Sequence, residues 1–253
     1  MLAFIAPGQG AQSPGMLSPW IAKPEALELL KSWSAEIDLD LVRLGTTADA
    51  DEIKDTANAQ PLIVAAGLLG ARALSDSRFA VVAGHSVGEI TAAALAGVIS
   101  EIDAMKLVRT RGIEMAKAAA LKPAGMAAVL GGDRTVVLKA ISDLGLVAAN
   151  DNGAGQIVAA GDLDALAQLA PDGARVRALA VAGAFHTSYM QPAVEPLRAL
   201  ASQISVNAPR CGVISNKDGA VITDGREVLD RIVAQISNPV RWDLCMSTLE
   251  EHS

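Results

Sequence analysis

The sequence predicts an α/β protein: a large domain built on a parallel sheet core, into which a small βαββαβ domain is inserted. Three observations predict it. An apolar run, Leu2 to Ala6, passes directly into the glycine-bearing turn Pro7-Gly8-Gln9-Gly10-Ala11-Gln12. A second apolar run ends at Ala83 and meets Gly84-His85-Ser86-Val87-Gly88, after which the chain turns Ala-rich and Pro-free, as a helix does. From Gly125 to Val181 the pattern becomes strand, helix, two strands, helix and strand, the ferredoxin-like order.

The chain has 253 residues, 51% of them hydrophobic and 19% charged, enough to bury a large core. The division that follows is a large domain from 1–123 and 183–253, of α/β-hydrolase-like type, with 124–182 as the insert. A net charge of −7 argues against nucleic acid as a partner, since phosphate binding needs a basic face. No segment reaches the roughly 18 uninterrupted apolar residues of a membrane span, and the N-terminus lacks a basic leader. Cys211 and Cys245 have no metal-ligand spacing, which predicts buried thiols in a cytoplasmic protein and no metal.

Taken in order, Leu2 to Ala6 reads as a short buried strand, and its turn can offer backbone N–H groups to a developing oxyanion. Pro24 to Ile37 carries apolar residues at helical spacing. The acidic, Thr-rich stretch from Thr46 to Thr56 reads as a connector, and Pro61 as the first position of an apolar helix. The G-x-S-x-G corner is a nucleophile elbow: its glycines permit a tight turn that leaves the Ser86 hydroxyl exposed at the carboxyl end of the strand. Read blandly, it is a glycine-rich corner with a capping serine.

Ser100-Glu101-Ile102-Asp103 approximates a capping box and opens a helix to about Ala119. Arg109 and Arg111 flank its apolar stripe of Ile102, Met105, Val108 and Met115 on opposite sides. Periodicity does not choose between them, and either also reads as a solvated helix charge. The insert supplies strands at Met126–Leu130, Leu146–Ala149, Gln156–Ala160 and Arg175–Val181, with helices at Asp133–Leu144 and Asp162–Ala170. It forms one wall of a cleft over the serine. Of three histidines, His252 lies beside the terminus and His85 points away from its neighbour on a sharp turn. His186, in a Gly/Ala-flanked loop, is the candidate general base. A strand at Gly212–Ser215 and helices at Val228–Ile236 and from Trp242 complete the chain.

Eight stretches, PGQGAQSPGM, QPLIVAAG, GHSVGEITAAALAGVIS, VRTRGIEMA, NGAGQIVAAG, VAGAFHTSYMQPAV, SNKDG and NPVRWDLCM, run through the whole chain. In them the sequence resembles the malonyl-CoA:acyl carrier protein transacylases of bacterial type II fatty acid synthesis, especially actinobacterial members. The resemblance implies a malonyl-serine intermediate on Ser86, with His186 as base. It implies that the Gln235 backbone carbonyl orients His186 and that the N–H groups of Gln9 and Val87 form the oxyanion hole. Arg111 matches the residue that grips the malonyl carboxylate, and Phe185, before the histidine, matches a malonyl-type specificity position. The resemblance also implies no permanently bound cofactor, with malonyl-CoA as substrate, acyl carrier protein as partner, a monomeric enzyme, and Lys117 and Lys122 as docking candidates. It further implies a few dozen residues beyond the position of Ser253. The alternatives are a serine esterase or thioesterase with the same elbow, a malonyltransferase of a polyketide pathway, and a non-catalytic carrier-binding module.

Overall fold

The computed structural model describes residues 2–74 and 78–251, so His252 lies outside the described residues. The large part begins with β1 (Ala3–Ala6), α1 (Ser18–Ile21), α2 (Pro24–Ile37), α3 (Leu41–Thr46), α4 (Thr56–Ala73), β2 (Val81–Gly84), α5 (Gly88–Leu95) and α6 (Glu101–Leu121). There follow β3 (Gly125–Gly131), α7 (Arg134–Asp143), β4 (Val147–Asp151), β5 (Gln156–Gly161), α8 (Leu163–Gln168) and β6 (Ala174–Ala178). The chain then returns through α9 (Gln191–Ala201), β7 (Gly212–Ile214), β8 (Val221–Ile222), α10 (Gly225–Gln235), β9 (Val240–Arg241) and α11 (Trp242–Glu251).

Two sheets organise these elements. In the first, β1, β2 and β7 are parallel and β8 closes the edge antiparallel, in the order β1-β2-β7-β8. The second has the order β6-β3-β5-β4-β9. Its first four strands are antiparallel in the ferredoxin-like arrangement, and β9 adds parallel to β4 through Asn150 opposite Val240. The last strand thus fastens the second sheet to the segment that follows α10. The core gathers on α4, α5 and α6, where Leu62, Ile90, Met105 and Leu107 have essentially no exposure. Among the described residues no helix is long and apolar enough to cross a membrane.

Several elements depart from the sequence reading, each for a physical reason. Helix α4 begins at Thr56 and not at Pro61, because Asp55 caps it by accepting the Ala57 N–H at 2.7 Å. Pro61 therefore stands inside the helix without an N–H for the Ala57 carbonyl. Arg109 fills that vacancy, donating Nη1–H to Ala57 O at 2.9 Å. The connector before it contains the end of α3 and a single helical turn at Glu52–Lys54. Strand β1 is less buried than expected, with Ile5 48% exposed, because β1 is an edge strand. Strands β8 and β9 span two residues each, too few to leave a periodic signal. Cys245 is buried, whereas Cys211 is only partly so, and both are free thiols. At α6, Ser100 accepts the Asp103 N–H at 3.0 Å and donates its hydroxyl to the Asp103 carboxylate at 2.6 Å.

Candidate active site

The elbow is built by close backbone packing. A Cβ on Gly84 would fall 1.9 Å from the Gly88 carbonyl carbon, and one on Gly88 would fall 2.5 Å from Ala6 O. Only glycine allows β2, the start of α5 and the end of β1 to converge there. Ser86, between them, has φ +53°, a left-handed conformation that costs a non-glycine residue about 1–3 kcal/mol and must be held by its surroundings. Two side chains hold it. Asn216 Oδ1 accepts the Ser86 N–H at 2.8 Å, and Gln235 Nε2 donates to Ser86 O at 3.1 Å.

His186 meets the serine from the loop after β6, also with positive φ, at +61°. Its Nδ1 lies 2.9 Å from the Gln235 backbone oxygen and its Nε2 2.7 Å from Ser86 Oγ. A carbonyl can only accept, so Nδ1 carries the proton and the bare Nε2 accepts the Ser86 hydroxyl. Burial, followed by the neighbouring Arg111 charge, pushes His186 down to about 3, so the imidazole is neutral and competent as a base at physiological pH. His85 lines the same cavity as Ser86 and His186 but is paired elsewhere. Its Nε2 pairs with Asn152 Oδ1 at 2.9 Å, its ring meets Trp242 edge-on at 5.4 Å, and burial lowers its pKa.

Of the two arginines on α6, the structure turns Arg111 inward and Arg109 to the Ala57 carbonyl. Arg111 is 1% exposed. Nη1 donates to Gln60 Oε1 at 2.7 Å, and Nη2 donates to Gln235 Oε1 at 3.0 Å and to Ser86 Oγ at 3.2 Å. Nε is buried with no partner among the described residues. Burial lowers Arg111 to about 10, opposed by the Glu89 charge, so the guanidinium stays cationic at neutral pH. Glu89, in the first turn of α5, is pushed up by burial, against the pull of the Asn216 N–H and the arginine charges, and because each of its oxygens faces a donor it is held as the carboxylate. Its two oxygens accept the Asn216 N–H at 2.6 Å and Gln235 Nε2 at 2.5 Å.

A cavity of about 230 Å³ opens over Ser86. The elbow, His186 and Phe185 form one side, and Met126, Ala128 and Val158 of the second sheet form the other. Two larger cavities, about 570 Å³ along α10 and about 500 Å³ beside Arg72, include neither Ser86 nor His186. Gln9 borders the reactive cavity, and its side chain is tied to Thr56 Oγ1 at 3.2 Å and to Gln60 at 3.3 Å. The Val87 N–H stands ahead of the first turn of α5 with no acceptor among the described residues. Phe185 is 5% exposed. Ser86, His186, Arg111, Gln235, Gln9, Val87 and Phe185 therefore converge on one place. Lys117, paired with Glu114 at 2.7 Å, and Lys122, over the Tyr189 ring at 5.0 Å, lie outside it.

The sequence reading missed Gln60, Asn216, Glu89 and the side chain of Gln235. Glu89 left one signal, an acid in the otherwise apolar helix GEITAAAL. The others are uncharged amides, whose pairing no local pattern reveals.

A serine in an elbow, a neutral histidine at its hydroxyl and a buried cation beside both define a serine acyl-transfer site on an α/β fold. Residues 3–251 match the acyl transferase domain family. The malonyl CoA-acyl carrier protein transacylase of Mycobacterium bovis is 54% identical over 261 residues, covering 100% of this chain and 86% of that protein. The crystal structure of MCAT from Mycobacterium tuberculosis superposes with a TM-score of 0.96 at 54% identity, covering 99% of this chain and 86% of that one. A malonyl-transacylase solved in complex with its type II polyketide acyl-carrier protein superposes with a TM-score of 0.90 at 28% identity, covering 99% and 85%. The chain belongs to the family of malonyl CoA-acyl carrier protein transacylases.

Proposed function

We propose that Ser86 is the residue that carries the malonyl group between CoA and an acyl carrier protein, with His186 as its base and Arg111 as the malonyl grip. The enzyme is a malonyltransferase. His186 Nε2 takes the Ser86 proton as Oγ attacks the thioester carbonyl, and the N–H groups of Val87 and Gln9 receive the oxyanion. Collapse breaks the C–S bond, and the imidazolium returns the proton to the departing CoA sulfur. In the second half, His186 takes the proton of the carrier's phosphopantetheine thiol, and the thiolate attacks the malonyl ester. Ser86 then leaves as an alkoxide reprotonated by His186. The backbone oxygen of Gln235 keeps the ring in the required tautomer throughout.

One observation carries the malonyl reading. The Nε–Nη2 edge of Arg111 is the edge that pairs side-on with a carboxylate, and in this site Nη2 is 3.2 Å from Ser86 Oγ while Nε has no partner among the described residues. A malonyl group on Ser86 brings its free carboxylate to that edge, whereas an acetyl group leaves a buried cation unpaired. Phe185, on the cavity wall, crowds a 2-methyl substituent.

Residues 1–123 and 183–253 make the catalytic domain in this reading, and 124–182 the lid-like insert. Every proposed catalytic group comes from one chain, which supports a monomer. Free thiols at Cys211 and Cys245 accord with a reducing cytoplasm. Carrier docking falls to basic side chains near the cleft, with Lys117 and Lys122 as candidates, and the pathway is fatty acid synthesis. A polyketide malonyltransferase uses the same residues.

The test is intact-protein mass spectrometry after mixing with malonyl-CoA. A malonyl adduct absent in Ser86→Ala, stable until holo carrier protein is added, is the expected result. Decay at the same rate without carrier protein makes the enzyme a thioesterase and overturns the transfer reading.

A further inference from the structure

We infer that Glu89 is a positioning residue for acyl-group selectivity, acting through the side-chain amide of Gln235 on Arg111. The inference rests on the reading of Arg111 as the malonyl grip. Glu89 is 3% exposed, meets the substrate cavity only through its backbone N–H, which donates to Ser86 O at 3.1 Å, and its carboxylate has no place in the proton transfers. Its direct partners are both donors, the Asn216 N–H and Gln235 Nε2. Arg231, the other nearby cation, is engaged with Asp218 and Glu227.

The amide of Gln235 has two faces, and Glu89 decides which is which. Because Glu89 Oε2 accepts, Gln235 must turn its NH2 group toward Glu89 and its oxygen toward Arg111. That NH2 also donates to Asn216 Oδ1 at 3.0 Å and to Ser86 O, which no carbonyl oxygen could do in its place. With Gln235 Oε1 and Gln60 Oε1 taking one donor each from the two terminal nitrogens, the guanidinium is held with its Nε–Nη2 edge beside Ser86 Oγ. If the Gln235 amide flipped, an NH2 group would face the arginine and the edge would swing away. A change at Glu89 therefore acts at two places: the His186 ring keeps its Gln235 backbone oxygen, any loosening of Ser86 through the Gln235 and Asn216 side chains falls on malonyl and acetyl loading alike, and the malonyl grip alone changes their ratio.

The test uses Glu89→Gln, which keeps the volume but replaces one of two acceptors with a donor. The readout is kcat/KM for loading Ser86 from malonyl-CoA and from acetyl-CoA. The expected result is a fall of about tenfold or more in the malonyl-to-acetyl ratio, as one misplaced charged hydrogen bond implies. Equal losses for both substrates mean that Glu89 only stiffens the elbow, and overturn the inference. Gln235→Met, which keeps the backbone oxygen and removes the amide, cuts the same link at its other end and must lower the ratio too, whether or not Glu89→Gln folds. An unchanged ratio in Gln235→Met overturns the inference as well. Arg111→Ala run in parallel separates the two levels. If its ratio does not fall, the grip reading fails; if it falls while the Glu89 and Gln235 variants keep theirs, only the positioning role fails.

Discussion

Replacing Gly88 with alanine tests whether the elbow's packing sets catalysis. The added Cβ would fall 2.5 Å from Ala6 O and 2.8 Å from Pro7 O, both backbone atoms that no side-chain rotation can move. Contacts of carbon relax only beyond about 3.4 Å, so the end of β1 and the turn that carries Gln9 must retreat by roughly 0.9 Å. A shift of that size moves one proposed oxyanion donor out of register while leaving Ser86 and His186 together. Loss of one such donor costs about 10²–10³-fold in rate, and overpacking costs about 1–3 kcal/mol of stability. For a chain of this length that lowers the melting temperature by about 2–4 °C per kcal/mol. The assay is the rate of malonyl-adduct formation on quenched samples, read beside a thermal melt. Gly70→Ala in α4 is the control, because nothing lies within 4 Å of its Cβ position, and it should match or slightly exceed the parent in stability. Loading by Gly88→Ala within threefold of the parent would refute the argument, since the packing would then have yielded without moving the turn.

Three further outcomes follow from the same structure. With His186 held down to about 3, the acid limb of kcat/KM for malonyl loading should stay flat to pH 5.5, where an ordinary imidazole is about nine-tenths protonated; a midpoint near 6.5 would contradict it. The sign for stability is that the unfolded chain takes up a proton below about pH 6.5 that folded His186 refuses, so this residue's contribution weakens stability as pH falls from there. Arg109→Met leaves the Ala57 carbonyl unpaired and should cost about 1 kcal/mol in a denaturant titration, with no change in malonyl-to-acetyl preference. Phe185→Ala widens the cavity beside Ser86 and should raise methylmalonyl loading relative to malonyl; an unchanged ratio removes Phe185 from the specificity reading.

What could be read from the sequence and what could not divide along the range of the constraint. The elbow was legible because its demands are local: glycines two residues either side of Ser86, an apolar strand before and an Ala-rich helix after. The order of the insert was legible for the same reason, as each strand and helix carries its own periodicity. The start of α4 was not, because Pro61 looks like a helix opener unless one knows that Arg109, 48 residues on in the chain, supplies the donor that proline lacks. The same fact explains why α6 alone could not assign its arginines. Both sit at the margins of one apolar stripe, and only the packing of α4 against α6 gives Arg109 a carbonyl to meet. Arg111 is then the cation left to enter the core, and a buried cation requires acceptors that the local sequence cannot display. They come from Gln60 in α4 and Gln235 in α10, with Glu89 behind Gln235. Family resemblance named Arg111, while the reason it can be tolerated there lies in three side chains contributed by separate helices. A chain that kept every residue of the G-x-S-x-G corner and lost that set would keep its buried serine, contrary to the exposed one the corner alone predicts, and would have no acceptors to hold a cation beside it.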